Sequence, residues 1–465
     1  MLFNSYEFIF VFLPITLIVY FTLARFRLTK SASASLVLAS LAFYSYWDIR
    51  YLPLLSGSII FNYTVGSLLE KTPRKPLLAF GVAANLSLLG YFKYTGFFLQ
   101  SFNALFGTSA LVPEIVLPLG ISFFTFTQTA YLVDTYRGET KHYSFLNYSL
   151  FVTIFPHLIA GPIIYHKSMI PQFTRLKNFV FSHQNMAIGI SLFTIGLFKK
   201  VVIADSLAPW ATTVFSHAGQ VNLVEAWAGA LAYTLQLYFD FSGYSEMAQG
   251  LGFMFNFVLP VNFNSPYQAT SIIDFWRRWH MTLSAFLKNY LYIPLGGNRD
   301  GYAKRMRNLF ITMLLGGLWH GAGWTYVIWG SLHGLYLIIN HGWRRMGYTL
   351  PVLLAWPVTF VSVVLAWVFF RATNLSDAVS MLQAMVGLKG VPFGVSLGQL
   401  TFVTGGITEL AILFALVVLV ATMRNANQYI ESFKPGWKWA IAISCAFSLA
   451  VISLTKVSEF LYFQF

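Results

Sequence analysis

From Asn308 to Trp343 the chain carries no Asp, Glu, Lys or Arg, and other apolar runs begin near Phe8, Leu54, Leu77, Val116, Met186, Pro351, Ile407 and Trp439. A helix needs ~20 apolar residues to cross a hydrocarbon core ~30 Å thick. Only helices and closed barrels satisfy their backbone polar groups there. By that measure about ten to thirteen segments qualify, the Asn308–Trp343 run supplying one that starts near Leu309. The expected fold class is an all-α polytopic integral membrane protein. Charged residues make up 10% of the 465 positions, against about 25% in a soluble domain. Part of the 18% aromatic content is expected in belts at the two interfaces. No internal repeat, low-complexity stretch or long soluble insertion interrupts the pattern, so a single membrane domain over 1–465 is expected. The opening "MLFNSYEF" lacks the basic start of a cleaved signal, which predicts that the first segment is kept as a helix.

The net charge is +14, and its placement carries the information. Loops on the cytoplasmic side hold an excess of Lys and Arg. Arg25, Arg27 and Lys30 follow the first span, and Lys71, Arg74 and Lys75 follow a later one. Seven of the 30 basic residues fall between Asp274 and Arg307, Arg344 and Arg345 follow a long apolar run, and Arg424, Lys434 and Lys438 precede the last. All are assigned to the cytosol, which puts both termini outside it. Topology accounts for the positive charge, so no nucleic-acid partner is expected. The single cysteine, Cys445, forms no intramolecular disulfide and is expected to pack in its apolar run.

Against this background "SIIDFWRRWHMTLSAFL", Ser271 to Leu287, stands out. An Arg at the bilayer centre costs roughly 2.5–3.5 kcal/mol even on the lenient insertion scale, so two adjacent ones do not belong in lipid. Phe275, Trp279, Leu283, Phe286 and Tyr290 recur at spacings of three and four, one face of a helix. Asp274 and Arg278 are four apart and can pair. The spacing predicts one helix at the cytosolic interface, ending before the loop "IPLGGNRDG"; 271–307 is then an interfacial helix and loop. Arg277, Arg278, Trp276 and Trp279 have two readings, interfacial anchoring with snorkelling or binding of an anionic substrate. His280, near the apolar face, is of the kind that more often packs than catalyses.

In the uncharged run, "MLLGGLWHGAGWTYVIWGSLHGLY" holds His320 and His333. A neutral imidazole is tolerated in a membrane and can still move a proton near pH 7. Gly316, Gly317, Gly321 and Gly323 around His320 permit close approach of a helix or a ligand; a small-residue packing face with a buried His is the plainer reading. Thirteen residues of continuous helix rotate by about 220°, so the two histidines share a face only if the glycines break the helix. Neither they nor the lone cysteine suit a metal site, and none is expected. "YFDFSGYSEMAQGLG" places Asp240, Tyr244 and Glu246 in an apolar run, where a carboxylate is by default a functional candidate; a structural hydrogen bond between Asp240 and Tyr244 is equally consistent. "FPHLIAGPIIYH", with His157, breaks at Gly161-Pro162 as a cavity-lining turn would.

These stretches, "DFWRRWHMTLSAFLKNYLYIPLGGNR", "LLGGLWHGAGWTYVIWGSLHG", "YFDFSGYSEMAQGLGFMF" and "FPHLIAGPI", resemble the membrane-bound O-acyltransferases. The likeness is strongest to the bacterial branch that acetylates exported polysaccharides such as alginate and peptidoglycan, and it runs from "MLFNSYEFIFVFLP" onward. The resemblance implies a bundle of about 11–13 helices around a central tunnel, lined here by Asp240, Tyr244, His157 and Trp319. It implies two tunnel histidines, mapping onto His280 and His320, with His320 the base. It implies acetyl-CoA as donor substrate with no bound cofactor, Arg277 and Arg278 beside Trp276 and Trp279 on the donor side, and a periplasmic SGNH-type transferase as partner in a bacterial inner membrane. A related teichoic acid system takes its acyl group from a carrier protein, and a transporter or flippase without covalent chemistry is a further alternative. The extracytoplasmic tail "SEFLYFQF", within 456–465, has two readings of equal weight: an aromatic belt capping the last helix, or, by resemblance to that same system's Tyr-containing aromatic acyl-carrier motif, Tyr462 as acyl relay. A phenol of pKa ~10 leaves more readily than a sugar hydroxyl.

Overall fold

The computed structural model describes residues 1–140, 142–391, 400–455 and 461, and those residues form helices joined by turns, with no strand among them. The tail residue Tyr462, like the rest of 456–465 except Leu461, lies outside the described residues.

A π turn at Phe8–Phe12 leads into α1 (Leu13–Arg25), and α2 (Thr29–Ser45), α3 (Leu52–Lys71) and α4 (Lys75–Leu89) follow. Pro76 stands in the first turn of α4, where the missing N–H costs nothing, while Pro14 and Pro53 sit where a π turn and a 3-10 turn pass into α1 and α3. A second π turn, Gly90–Tyr94, joins α4 to α5 (Thr95–Phe106), which Gly107 ends in the left-handed conformation at φ 63°. Next come α6 (Ile121–Tyr136), α7 (Phe145–Thr153), the one-turn α8 (Phe155–Leu158), α9 (His166–Thr174) and α10 (His183–Phe198). A third π turn, Lys199–Ala204, leads to α11 (Asp205–Ser216), and then comes α12 (Leu223–Met254), 32 residues long. The two halves of the "SIIDFWRRWHMTLSAFL" stretch are α13 (Ile272–Arg278) and α14 (Met281–Leu287). Then follow α15 (Tyr302–His320), α16 (Trp324–Arg345), α17 (Val352–Arg371), α18 (Leu375–Met385), α19 (Gly406–Thr422), α20 (Ala426–Glu431) and α21 (Trp437–Ile452).

Among the described residues five helical stretches are long and apolar enough to cross a bilayer: Phe8–Arg25, Ile49–Lys71, Lys75–Phe106, His183–Ser216 and Val352–Arg371. Gly406–Thr422 and Trp437–Ile452 are apolar but shorter. Two of the expected spans are corrected. The run from Val116 is irregular up to Gly120, and its helix begins at Ile121. Gly120 sits at φ 71°, where a Cβ would come within 2.8 Å of the Leu158 carbonyl oxygen. The run from Leu309 is two helices rather than one, because the chain is extended at Gly321 and Gly323. Cys445, expected to pack, lies exposed on α21.

The described chain packs as two compact units, one built from 1–196, 244–260 and the chain from 433, the other from 197–243 and 261–432. In the first, Phe8 gathers Phe3, Phe43 and Phe155 at ring separations of 5.0–6.0 Å. Asn62 on α3 and Asn85 on α4 exchange side-chain amide bonds of 3.1 and 2.7 Å, satisfying buried polar groups that lipid would not. In the second, Trp279, Trp329 and Trp367 are fully buried and meet at 4.9 and 5.5 Å.

Candidate functional site

The helix predicted over Ser271–Leu287 is broken in the middle. Ser271 caps α13, its Oγ accepting from Asp274 N at 3.2 Å, and the chain is extended at Trp279 and left-handed at His280, φ 43°. A non-glycine residue in that region is uncommon and is held there by its surroundings. Here the holding segment is the loop after α12. Asn264 N donates to the Arg278 carbonyl and Met281 N to the Asn262 carbonyl, both at 2.9 Å. Asn262 Oδ1 accepts from Thr282 N at 3.3 Å and Thr282 Oγ1 at 2.9 Å, and contacts His280 Nδ1 at 3.1 Å. A backbone N–H only donates, so the Asn262 atom is the oxygen and His280 Nδ1 carries the proton. The acceptor nitrogen of His280 is therefore Nε2. Helices of seven residues do not span a bilayer. Full burial pushes the His280 pKa down to about 3, so the ring is neutral at physiological pH.

The uncharged run is broken at its glycines. α15 ends on His320, the chain turns through Gly321–Gly323, and α16 returns against α15. The helices touch backbone to backbone: a Cβ on Gly330 would lie 2.5 Å from the Met313 carbonyl oxygen and 3.0 Å from Gly317 Cα. This close crossing sets Trp329 between the histidines, its ring edge-on to His320 at 5.0 Å and to His333 at 4.9 Å. His320 is buried and also meets Trp319 at 5.0 Å, Phe370 at 5.4 Å and His280 at 6.3 Å.

Several N–H groups in this cluster are buried without an acceptor among the described residues, Trp367 Nε1 among them. Trp276 Nε1 donates to His333 Nδ1 at 3.2 Å, which leaves the His333 proton on Nε2. His333 Nε2 and Trp329 Nε1 are both buried with no acceptor among the described residues. Each such group costs about 1–3 kcal/mol, and native proteins leave few of them. Chemically the cluster offers two N–H donors and two neutral-capable imidazoles in an aromatic wall, suited to a polar oxygen that gains negative charge.

The other predicted residues divide. Arg278 pairs with Asp274 at 2.9 Å, as the four-residue spacing predicts, while Arg277 is exposed. Trp279 does not anchor an interface; it is core, stacked on Phe275 at 5.7 Å. Trp276 serves through its bond to His333, and Trp319 lies against both His280 and His320. Asp240 is buried and paired with Lys200 at 2.7 Å, and Lys200 reaches Asp205 at 2.8 Å. Tyr244 and His157 belong to the first unit. There Tyr244 stacks on Phe3 at 4.8 Å and His157 Nε2 bonds the Phe151 carbonyl at 3.0 Å. Among the described residues no three His, Cys, Asp or Glu side chains converge as metal ligands would.

Sequence reasoning missed Asn262, Trp329 and Phe370. The signal for Asn262 is the polar "PVNFNSP" in an apolar chain, and for Trp329 its place four residues before His333. Lys200, next to Lys199 in an otherwise apolar candidate span, was equally visible.

Comparison with known proteins gives a concordant result. A family model described as the membrane-bound O-acyltransferase family matches residues 10–376. The peptidoglycan O-acetyltransferase of Helicobacter pylori is 43% identical, the alignment covering 100% of this chain and 98% of the relative. The probable alginate O-acetylase of Pseudomonas aeruginosa is 44% identical over 83% of this chain and 75% of its own length. The teichoic acid D-alanyltransferase of Streptococcus thermophilus is 27% identical over 50% of this chain and 59% of its own.

Proposed function

The chain belongs to the membrane-bound O-acyltransferase family, and from that premise we propose that it takes an acetyl group from cytosolic acetyl-CoA and passes it across the bacterial inner membrane for O-acetylation of a polysaccharide of the peptidoglycan or alginate kind. The observation that carries this reading is the pair of buried N–H donors, Trp329 Nε1 and His333 Nε2, in the aromatic cluster that holds the buried His320 against Trp329 at 5.0 Å. His320 takes the proton of the attacking hydroxyl as its oxygen bonds the thioester carbonyl carbon. The carbonyl oxygen, now an oxyanion, accepts the two N–H bonds. Collapse breaks the carbon–sulfur bond, and the thiolate leaves with the proton from His320. Neutral His280, its tautomer set by Asn262, positions the reacting groups as a hydrogen-bond acceptor.

The hydroxyl in the first transfer is that of Tyr462. Acetyl-tyrosine then hands the group to a periplasmic SGNH-type transferase, which acylates the sugar. Support for the relay is the sequence alone, as Tyr462 lies outside the described residues. His320→Ala is expected to abolish polysaccharide acetylation, read as acetate released by mild base, at an unchanged level of protein in the membrane. Acetylation above a tenth of wild type would rule out the base. Tyr462→Phe keeps the ring and deletes one oxygen; it is expected to stop acetylation as fully, and normal acetylation would reduce the tail to an anchor.

A carrier-protein donor is the second reading. It is favoured by the engagement of Arg278 with Asp274 and with the Asn264 carbonyl at 3.4 Å, which removes one of the two arginines proposed for donor phosphates. Transfer of acetyl from acetyl-CoA by the purified chain supports the first reading. Transfer only from an acylated carrier protein supports the second.

A further inference from the structure

α16 ends on Arg344 and Arg345, the chain turns at Gly347, φ 82°, and α17 starts after Pro351. Between this turn and the N-terminus of α13 lies a cavity of about 400 Å³. Its polar side is formed by Arg344, Thr270, Ser271 and Thr349, with Asn340 behind them. Arg344 Nη2 donates to Ser271 Oγ at 3.1 Å and has no carboxylate partner among the described residues. Its neighbours are no better compensated. Arg345 lies over the Tyr302 ring at 4.4 Å and Arg305 Nη2 contacts His341 at 3.3 Å, again with no carboxylate. Three guanidinium groups thus share one end of the α15/α16 hairpin, none with a carboxylate at ion-pair distance among the described residues, at the end that the charge distribution assigns to the cytosol; Asp300 at the same end pairs with Lys304 at 3.8 Å. Asn340 Oδ1 is buried and has no donor among the described residues.

The opposite side is apolar and open to lipid. Val352 and Val358 of α17 line the cavity and are 71% and 56% exposed, on a helix long and apolar enough to cross the bilayer. A ligand that satisfies both sides carries a phosphate for Arg344, a hydroxyl for Asn340 Oδ1, and hydrocarbon that runs down α17. Guanidinium and hydroxyl donors are the usual partners of phosphate oxygens. We propose that this cavity binds the headgroup of a hydroxyl-bearing anionic phospholipid of the cytosolic leaflet, with Arg344 on the phosphodiester. A nucleotide or inorganic phosphate shares the phosphate but not the hydrocarbon, and the wall of α17 favours the lipid. The inference is independent of acyl transfer, since none of these residues belongs to the histidine cluster.

The test uses the full chain in an uncharged detergent, with binding followed by native mass spectrometry and by thermal stabilisation. Phosphatidylglycerol is expected to bind the wild type about tenfold more tightly than phosphatidylcholine, and Arg344→Ala to erase that preference. Arg344→Ala must melt as the wild type does without lipid; if it does not, Arg344→Lys replaces it, with a reduced preference expected. Val358→Trp fills the apolar side and leaves Arg344 in place, so it is expected to weaken phosphatidylglycerol alone. An unchanged lipid preference in a well-folded Arg344 variant overturns the site. Arg344-dependent binding of coenzyme A or inorganic phosphate without any lipid preference overturns the lipid assignment.

Discussion

A single proton position decides what the residues around His320 are able to do. Trp276 donates to His333 Nδ1, so His333 presents an N–H and not a lone pair. Asn262 accepts from His280 Nδ1, so His280 presents a lone pair. Two histidines of one cluster are thereby set to opposite roles by one hydrogen bond each. Loss of one oxyanion donor costs about 10²–10³ in kcat. Trp329→Phe keeps the ring contacts with His320 and removes only the indole N–H. It is expected to lower kcat for acetyl transfer by that factor with KM little changed. A mutant that loses membrane level, or that raises KM at constant kcat, places Trp329 in packing or binding instead. Little of this was legible beforehand. Asp274 and Arg278 are one helical turn apart, and local spacing named the pair. Asn262 lies 18 positions from His280, and the break at His280 depends on it, so no helical periodicity within Ser271–Leu287 contains the information.

At the scale of elements, the glycines around His320 were visible as a place of close approach, while the run itself was expected as one span and is broken into α15 and α16. The break and the Gly317–Gly330 crossing follow from what small residues permit. The long helix α12 was harder. Its Asp240 stood out as a carboxylate in an apolar run, but its partner is Lys200 on a different segment. The lysine bridges Asp240 and Asp205, a buried arrangement whose attraction repays the desolvation cost only while all three are present. Lys200→Met leaves two carboxylates without their cation in a site of low dielectric. Removing one partner of a buried pair costs about 3–5 kcal/mol, so a marked fall in the melting temperature in detergent is expected. Lys200→Met combined with Asp205→Asn and Asp240→Asn removes the charges together and is expected to recover most of the loss. A triple variant as unstable as the single one would show that Lys200 acts through its bulk and not its charge.

For the whole molecule the charge distribution predicts a side for every basic segment. The stretches assigned to the cytosol hold Arg74, Lys75, Arg344, Arg345 and Arg424. Three basic residues outside those stretches have partners close by. Arg50, where α3 begins, pairs with Asp48 at 2.7 Å. Arg371, where α17 ends, lies over the rings of Phe215 and Tyr233 at 5.6 and 5.9 Å. Lys389 donates to the carbonyls of Ala218 and Gly219 at 3.3 and 3.2 Å. Cys445 is the only cysteine, so Cys445→Ser gives a background without thiols. Single cysteines at Arg74, Asp300 and Arg345, all exposed, are expected to resist a membrane-impermeant maleimide in intact cells and to react in inverted vesicles. A cysteine at Asn374, just past the far end of α17, is expected to do the reverse. Labelling of Arg345→Cys in intact cells would turn the hairpin end away from the cytosol. That result would remove the ground for a cytosolic lipid at Arg344 and for a cytosolic acyl donor reaching His320 from that side.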